Sequence, residues 1–319
     1  MARRLSREDE IVMIARMHYE DRLPQNEVAT RLGVSNSTVS RALKKALELG
    51  YVEIRVVPHA MRARGLEDRL KAKFGLQNAI VVEMRSSPEE TLRTLGGAVA
   101  HFVEGRISEG MNIGVSDGRT VASVANGLHT AAYKKINVFP LIGGVGVRQL
   151  PSHPSEICRV MALNLGGDAW NLPVPAMADD ARSAEVLRQT SSIRPIFEMM
   201  RRLDMAIMGI GALDDEAPIF RHGVITLKQM RSATEKGAIG TICARFFDAD
   251  GTPVVTDLEP QTIAITLEDL AACPRRLLVA NGAVKVPAIR GALLGGIVNL
   301  LGTDAETANA LLEEPSARR

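Results

Sequence analysis

Aromatic residues are scarce in this chain: one Trp, three Tyr and seven Phe make up 3% of its 319 residues. Its core must therefore come from Leu, Ile, Val, Ala and Met. Cysteine is as rare. Cys158, Cys243 and Cys273 are far apart and odd in number, with no Cys-x-x-Cys or Cys/His cluster. That excludes a disulfide framework and a zinc site, and the three are expected to be reduced thiols of a cytoplasmic protein. No apolar run approaches the ~20 residues of a membrane span, and no apolar segment follows the basic Met-Ala-Arg-Arg-Leu-Ser start, as a signal peptide would need. Gly-x-Ser-x-Gly, His-Glu-x-x-His and Walker patterns are all missing. The six histidines, His18, His59, His101, His129, His153 and His222, are scattered. No catalytic residue, metal ligand or cofactor is expected.

What is present is ordinary globular composition, 46% apolar and 24% charged, on a length that suits about two domains. The charge is unevenly placed. Residues 1–74 carry a net +5 and residues 75–319 a net −3, so the N-terminal part is where a polyanion would dock.

That part divides into three helices. Ser6 and Asp9 form a capping box, and Ile11, Val12, Ala15 and Tyr19 then repeat at helical spacing. A short second helix from Pro24 to Leu32 turns Val28, Ala29 and Leu32 inward and ends at Gly33. Ser35 caps a third, in which Val39, Ala42, Leu43, Ala46 and Leu47 form one apolar stripe. Its other face, with small hydrogen-bonding groups first and cations after, suits end-on insertion into a major groove. The candidate DNA contacts are Gln25, Ser35, Asn36, Ser37, Thr38, Ser40, Arg41, Lys44 and Lys45. The alternative is a small bundle with a solvated basic face. The four residues Leu32–Ser35 allow only a tight corner, and Gly50–Val56 alternates like the strand of a wing. The stretches Gln25–Ser35 and Thr38–Leu43 resemble the helix-turn-helix of the SorC family of sugar-responsive bacterial regulators.

A boundary is expected over residues 58–75, between a helix-turn-helix domain (1–57) and an effector and oligomerisation domain (76–319). Within it Leu66, Leu70 and Phe74 share a face of a basic helix, which suits a hinge, a DNA-backbone contact or a dimer contact. Beyond it, strand-like runs at Ala79–Val82, Met111–Val115, Ile136–Ile142, Met205–Ile210, Ile263–Leu267, Leu277–Ala280 and Val298–Leu301 alternate with helical stretches. The helices are expected at Thr120–Leu128, Glu156–Leu165, Ala184–Leu203, Leu267–Ala272, Val286–Leu294 and Ala305–Leu312. This is the pattern of an α/β domain with a mostly parallel sheet.

In such folds ligands sit beyond the carboxyl ends of the strands. The loop Ser116-Asp117-Gly118-Arg119-Thr120 leads from a strand into a helix and offers hydroxyls, a cation and a helix N-terminus. It is either a phosphate cradle or a plain turn. Gly143 and Gly144, and Gly209 and Gly211, also follow strands, and Lys285 follows Ala280-Asn281-Gly282. The segments Gly114–Thr120, Pro140–Gly144, Asp204–Gly211, Lys236–Gly240, Phe246–Gly251 and Gly282…Lys285…Thr303-Asp304 resemble, in one order, the SorC-family sugar-binding domain.

The resemblance implies a fold similar to sugar-phosphate isomerases, phosphorylated sugars as effectors, and homodimers or homotetramers on operator DNA. The candidate effector contacts are Ser116, Asp117, Gly118, Arg119, Thr120, Gly143, Gly144, Gly209, Gly211, Gly237 and Lys285. Three positions depart from the family pattern: Asp117 stands where Trp is usual, Thr241 where Asp is usual, and Asn281 where Gly is usual. A carboxylate beside a phosphate is unfavourable unless a cation or helix end offsets it. The effector therefore includes unphosphorylated sugars and polyols among its candidates, unless Asp117 points to solvent or caps the helix. The rival function is a sugar-phosphate isomerase-like enzyme with a DNA-binding segment. It would need a general base paired with a second group, and Asp117, Glu156, Asp214 and Asp215 show no such pairing in sequence. An architectural nucleic-acid protein would have no use for the large α/β part.

Overall fold

In the computed structural model the described residues are 6–21, 23–52, 62–129, 135–146, 150–214 and 217–313. The chain divides into two compact units, 1–58 and 59–319.

The first unit holds α1 (Arg7–Tyr19), α2 (Gln25–Leu32) and α3 (Asn36–Glu48). Ser6 accepts from the Asp9 amide, and the Asp9 carboxylate accepts from the Ser6 amide in return. Gly33, at φ 67°, ends α2, and the Ser35 hydroxyl caps α3. Ile14, Ala15, Val28, Ala29, Val39, Ala42, Leu43 and Ala46 close the core. Leu47, expected on this stripe, is 39% exposed: eight residues on from Val39 it has drifted about 80° round the helix. Val12 and Tyr19 likewise stand at the surface, and Ile14 takes the buried place on α1.

The second unit begins with α4 (Arg64–Phe74) and continues β1 (Asn78–Val82), α5 (Pro88–Glu104), β2 (Asn112–Val115), α6 (Arg119–Gly127) and β3 (Asn137–Pro140). Then come α7 (Pro154–Leu165), β4 (Asp168–Ala169), α8 (Ala181–Gln189), α9 (Arg194–Met200), β5 (Met205–Met208) and β6 (Gly211–Ala212). They are followed by α10 (Pro218–Arg221), α11 (Leu227–Glu235), β7 (Gly240–Ile242), β8 (Arg245–Phe247) and α12 (Leu267–Ala272). The unit closes with β9 (Arg276–Val279), α13 (Val286–Leu294), β10 (Leu300–Asp304) and α14 (Ala305–Leu312).

Seven strands form one sheet in the order β1-β10-β9-β5-β2-β3-β4, every pair parallel. Parallel strands are covered on both faces, which is why they read as apolar runs. Alternate residues feed two cores. Ile80, Val82, Ile113, Val115 and Ile207 pack under α5, α6 and α7. Ala79, Val81, Met208, Leu278 and Leu301 pack with residues of α4, α9, α12, α13 and α14 on the other side.

Four local differences from the sequence expectations have physical causes. Ile263–Leu267 is not a sheet strand. Its Ile263–Ile265 part is buried and extended, but it bonds to the chain after β3 through an antiparallel bridge of Ala264 with Ile142. Ala184–Leu203 is two helices: α8 ends where Thr190 turns to ψ 136°, and Pro195 fits the opening turn of α9. The 17-residue α5 and the antiparallel β6-β7-β8 sheet are additional elements. Finally, the helix set apart as a linker packs as α4 against β1 and α14, with Leu70 fully buried.

The chain enters this unit along the outer edge of β1. Arg62 forms an antiparallel bridge with Val82, and the Ala63 amide donates to the Val81 carbonyl. The Glu67 carboxylate, held by Arg62 at 2.7 and 2.9 Å, accepts from the Val81 amide. At the opposite edge β4 is two residues long, and the Trp170 indole beyond it stacks on Phe139.

Candidate functional site

In the first unit the polar face of α3 is supported by bonds within the helix and its cap. The Ser35 hydroxyl accepts from the Thr38 amide at 3.2 Å and meets the hydroxyls of Ser37 and Thr38 at 2.8 Å each. Those three residues thus build the helix start. Asn36, Ser40, Arg41 and Lys44 stand exposed along the same face. Arg41 Nε donates to the Ser37 carbonyl, and Lys45 pairs with Glu48 at 3.1 Å. Gln25 is exposed in the first turn of α2. After α3 the chain reverses at Gly50 (φ 73°), with the amides of Tyr51 and Val52 donating to the Ala46 carbonyl. The wing expected over Gly50–Val56 lies outside the described residues from position 53 onward.

In the second unit the order of the strands fixes where a ligand fits. From β2 the chain runs outward through β3 and β4, whereas from β5 it runs the other way through β9 and β10. The switch point is between β2 and β5, and a crevice opens beyond the carboxyl ends of strands at such a point. A cavity of about 450 Å³ lies there, within the size range of small-molecule sites.

Its lining brings together Asp117, Gly118, Arg119 and Thr120 after β2, Gly209 and Gly211 after β5, and Asn281 and Lys285 after β9. Gly118 (φ 115°) and Gly282 (φ 104°) each begin a helical turn with no side-chain cap, at the start of α6 and of the 3-10 turn before α13. A β-carbon at Gly118 would meet nothing within 4 Å; the glycine is required by its backbone angle. Gly211, by contrast, is needed for space, because a β-carbon there would fall 2.8 Å from the Thr241 methyl.

Four expected contacts lie outside the lining. Ser116 is buried beneath it, where its hydroxyl accepts from the Gly209 amide and donates to the Asp117 carbonyl. Gly143 and Gly144 serve packing: a β-carbon on Gly143 would strike the Pro175 carbonyl, and the Gly144 amide donates to Val174. Gly237 makes the left-handed turn (φ 93°) that leads from α11 into β7.

The structure adds residues that sequence spacing does not reveal. Glu89 comes from α5, Asp214 follows β6, and Thr241, Cys243 and Ala244 come from the β7-β8 hairpin. The Thr241 side chain is buried, and its hydroxyl has no hydrogen-bond partner. Cys243 and Ala244 are both left-handed, at φ 50° and 58°, in a two-residue turn that ordinarily takes Asn-Gly. Arg245 holds this hairpin down: its guanidinium pairs with Glu259 at 2.6 Å and donates to the carbonyls of Ala264 and Ile265.

Burial raises the Asp117 carboxyl above its ordinary value, opposed by a bond from its own amide and the nearby charges of His222 and Lys285. Burial lowers Lys285, with Arg119 adding to the effect and Asp117 and Asp214 opposing it. The cavity therefore holds a half-buried carboxyl and a half-buried ammonium, each of which offsets the shift that burial gives the other. Such groups gain from a ligand that hydrogen-bonds them. No group of three or more potential metal ligands occurs among the described residues, and none of their helices is long and apolar enough to cross a membrane. The three cysteines are buried and free.

The chain is similar to known proteins. Residues 59–313 match the family model described as "Putative sugar-binding domain", and residues 11–63 match that of the MarR family. The deoxyribonucleoside regulator of Bacillus subtilis is 32% identical over 302 residues, covering 94% of this chain and 96% of that protein. The erythritol catabolism regulatory protein EryD of Brucella abortus is 30% identical over 304 residues, covering 95% and 96%. The crystal structure of the full-length sorbitol operon regulator SorC from Klebsiella pneumoniae superimposes with a TM-score of 0.76 at 29% identity, covering 97% of this chain and all of that one. These relatives are transcriptional regulators and not enzymes, and this chain belongs with them to the SorC family of sugar-binding, helix-turn-helix transcriptional regulators.

Proposed function

We propose that this regulator binds operator DNA through the exposed face of α3 and is controlled by a sugar-like effector held in the cavity between the ends of β2, β5 and β9. The observation that carries the reading is the convergence of three strand-end loops, with Arg119, Lys285 and Asp117, on one cavity at the switch point of a parallel sheet. The names of the relatives, which refer to deoxyribonucleosides, erythritol and sorbitol, support a small polyhydroxylated effector. The net +5 of residues 1–74 is modest for a DNA-binding module. This favours a homodimer or homotetramer in which paired modules share the affinity. Half-sites then lie about 34 Å apart, or a multiple of that. The effector acts by its differential affinity for two arrangements of the oligomer. The natural setting of such a regulator is the cytoplasm.

The test is a gel shift on the DNA upstream of the protein's own gene, repeated with a panel of sugars, polyols and their phosphates. Arg41→Ala should weaken operator binding by about 1–3 kcal/mol, as for loss of a base contact, and leave effector binding intact. Arg119→Ala or Lys285→Ala should abolish the effector response while DNA affinity stays the same. Identical behaviour of the two sets would refute the division of labour.

A further inference from the structure

We infer that the cavity selects a neutral polyol or sugar over its phosphate ester, with Asp117 and Thr241 making the choice. This rests on the reading of the cavity as the effector site. Among the described lining residues two are cationic, Arg119 and Lys285, and three are carboxylates, Glu89, Asp117 and Asp214. The formal balance is −1 before any ligand enters, and a phosphate monoester adds about −1.5 to −2.

Position matters as much as the sum. Asp117 directly precedes Gly118, the residue that opens α6. The place where an anion would gain most from the amides of that helix start therefore already has a carboxylate beside it. Lys285, one of the two cations of the lining, has its charge opposed by Asp117 and Asp214.

Hydrogen-bond type points the same way. An ionised carboxylate only accepts, and so do the oxygens of a phosphate dianion; the two cannot bond each other. Sugar hydroxyls donate and accept. Two neighbouring hydroxyls can donate to the oxygens of Asp117 while accepting from Lys285. Thr241 stands in a wall of this cavity, only 5% exposed, and its Oγ1 is buried without a partner; rotation of its side chain would bring that hydroxyl to a further hydroxyl of the ligand. A buried hydroxyl of this kind is satisfied by a ligand that both gives and takes a hydrogen bond.

The experiment is calorimetric titration of the full chain with matched pairs, ribitol against ribitol 5-phosphate and glucitol against glucitol 6-phosphate, with inorganic phosphate alone as a further probe. The expected result is binding of at least one free polyol, with its phosphate weaker by about tenfold or more, as loss of charge-assisted hydrogen bonds implies. Asp117→Asn should narrow that ratio by weakening the free polyol and relieving the ester. Thr241→Val should weaken the free polyol by about fivefold, the effect of one neutral hydrogen bond. A cooperative thermal melt of each variant serves as the control for folding. If Asp117→Asn fails that control, the wild-type ratio and Thr241→Val decide. Tighter binding of the phosphate ester by the wild type, or an unchanged ratio in a folded Asp117→Asn, overturns the inference and leaves the effector site standing. No binding by any of these probes would overturn the effector site itself, and the inference with it.

Discussion

Helix α3 and the cavity both present polar side chains, but what lies under them differs. On α3 the polar face and the packing face are separate: Val39, Ala42, Leu43 and Ala46 are buried while Asn36, Ser40, Arg41 and Lys44 are exposed. Around the cavity the two tasks fall to the same residues. The hydroxyl of Ser116 ties the loop after β2 to Gly209, the methyl of Thr241 abuts Gly211, and Arg245 anchors the hairpin whose turn forms part of the wall. A substitution on the outward part of α3 should therefore be a clean probe of recognition. One near the cavity should change stability and ligand binding together.

The largest expected effect tests the second half of that contrast. Arg245 is 5% exposed and gives hydrogen bonds to Glu259 and to the carbonyls of Thr262, Ala264 and Ile265. Arg245→Ala leaves the buried carbonyls of Ala264 and Ile265 without this donor, while Glu259, 40% exposed, regains water; it should cost about 2–3 kcal/mol, seen as a fall in the melting temperature. Effector affinity should fall with it, and a stable variant with normal affinity would break the contrast. A smaller effect tests the one place where α3 mixes its tasks. Ser35→Ala removes the cap at the amide of Thr38 and should cost about 1 kcal/mol in urea unfolding, whereas Ser40→Ala should cost almost nothing.

The smallest effect is a matter of pH. His153 caps α7, with its Nδ1 accepting from the Ser155 amide, and burial lowers its pKa from 6.5. The unfolded chain therefore binds the proton more readily, so stability rises with pH in this range. The contribution is complete above pH 6.5 and is lost as pH falls through the lower folded value. His153→Asn, which keeps a capping acceptor, should flatten this slope in thermal melts between pH 7 and pH 5. An unchanged slope would assign the dependence to other groups.

The same contrast explains what could be read from the sequence. The helix-turn-helix is a local object: Ser6 with Asp9, Gly33 at its left-handed position and Ser35 before α3 all lie within a few residues of what they control. Most strands of the large sheet also announce themselves, because burial on both faces leaves apolar runs. Helix α5 does not, since Gly96 and Gly97 weaken its helical signal. Gly96 is there because a β-carbon would collide with Ser123 of α6, a contact between residues 27 positions apart. Asp117, Gly118, Arg119 and Lys285 were legible as loop residues after strands. Thr241, Cys243 and Glu89 became cavity residues only through tertiary packing, and Cys243-Ala244 has none of the usual turn chemistry. Gly143 and Gly144, equally legible as glycines after a strand, lie outside the cavity lining, and at Gly143 close packing against Pro175 and Val174 leaves no room for a β-carbon.

The fastening of Arg62, Ala63 and Glu67 along β1 has a consequence for assembly. An edge strand with free amides and carbonyls is a template for another chain. Here the outward amide and carbonyl of Val81 are both engaged, by Glu67 and Ala63, and the other edge strand, β4, offers two residues. The sheet is thus blunted at both ends against growth from copy to copy. Open-ended strand addition along this sheet is thereby closed off, which leaves surface side chains as the means by which copies could meet in limited number.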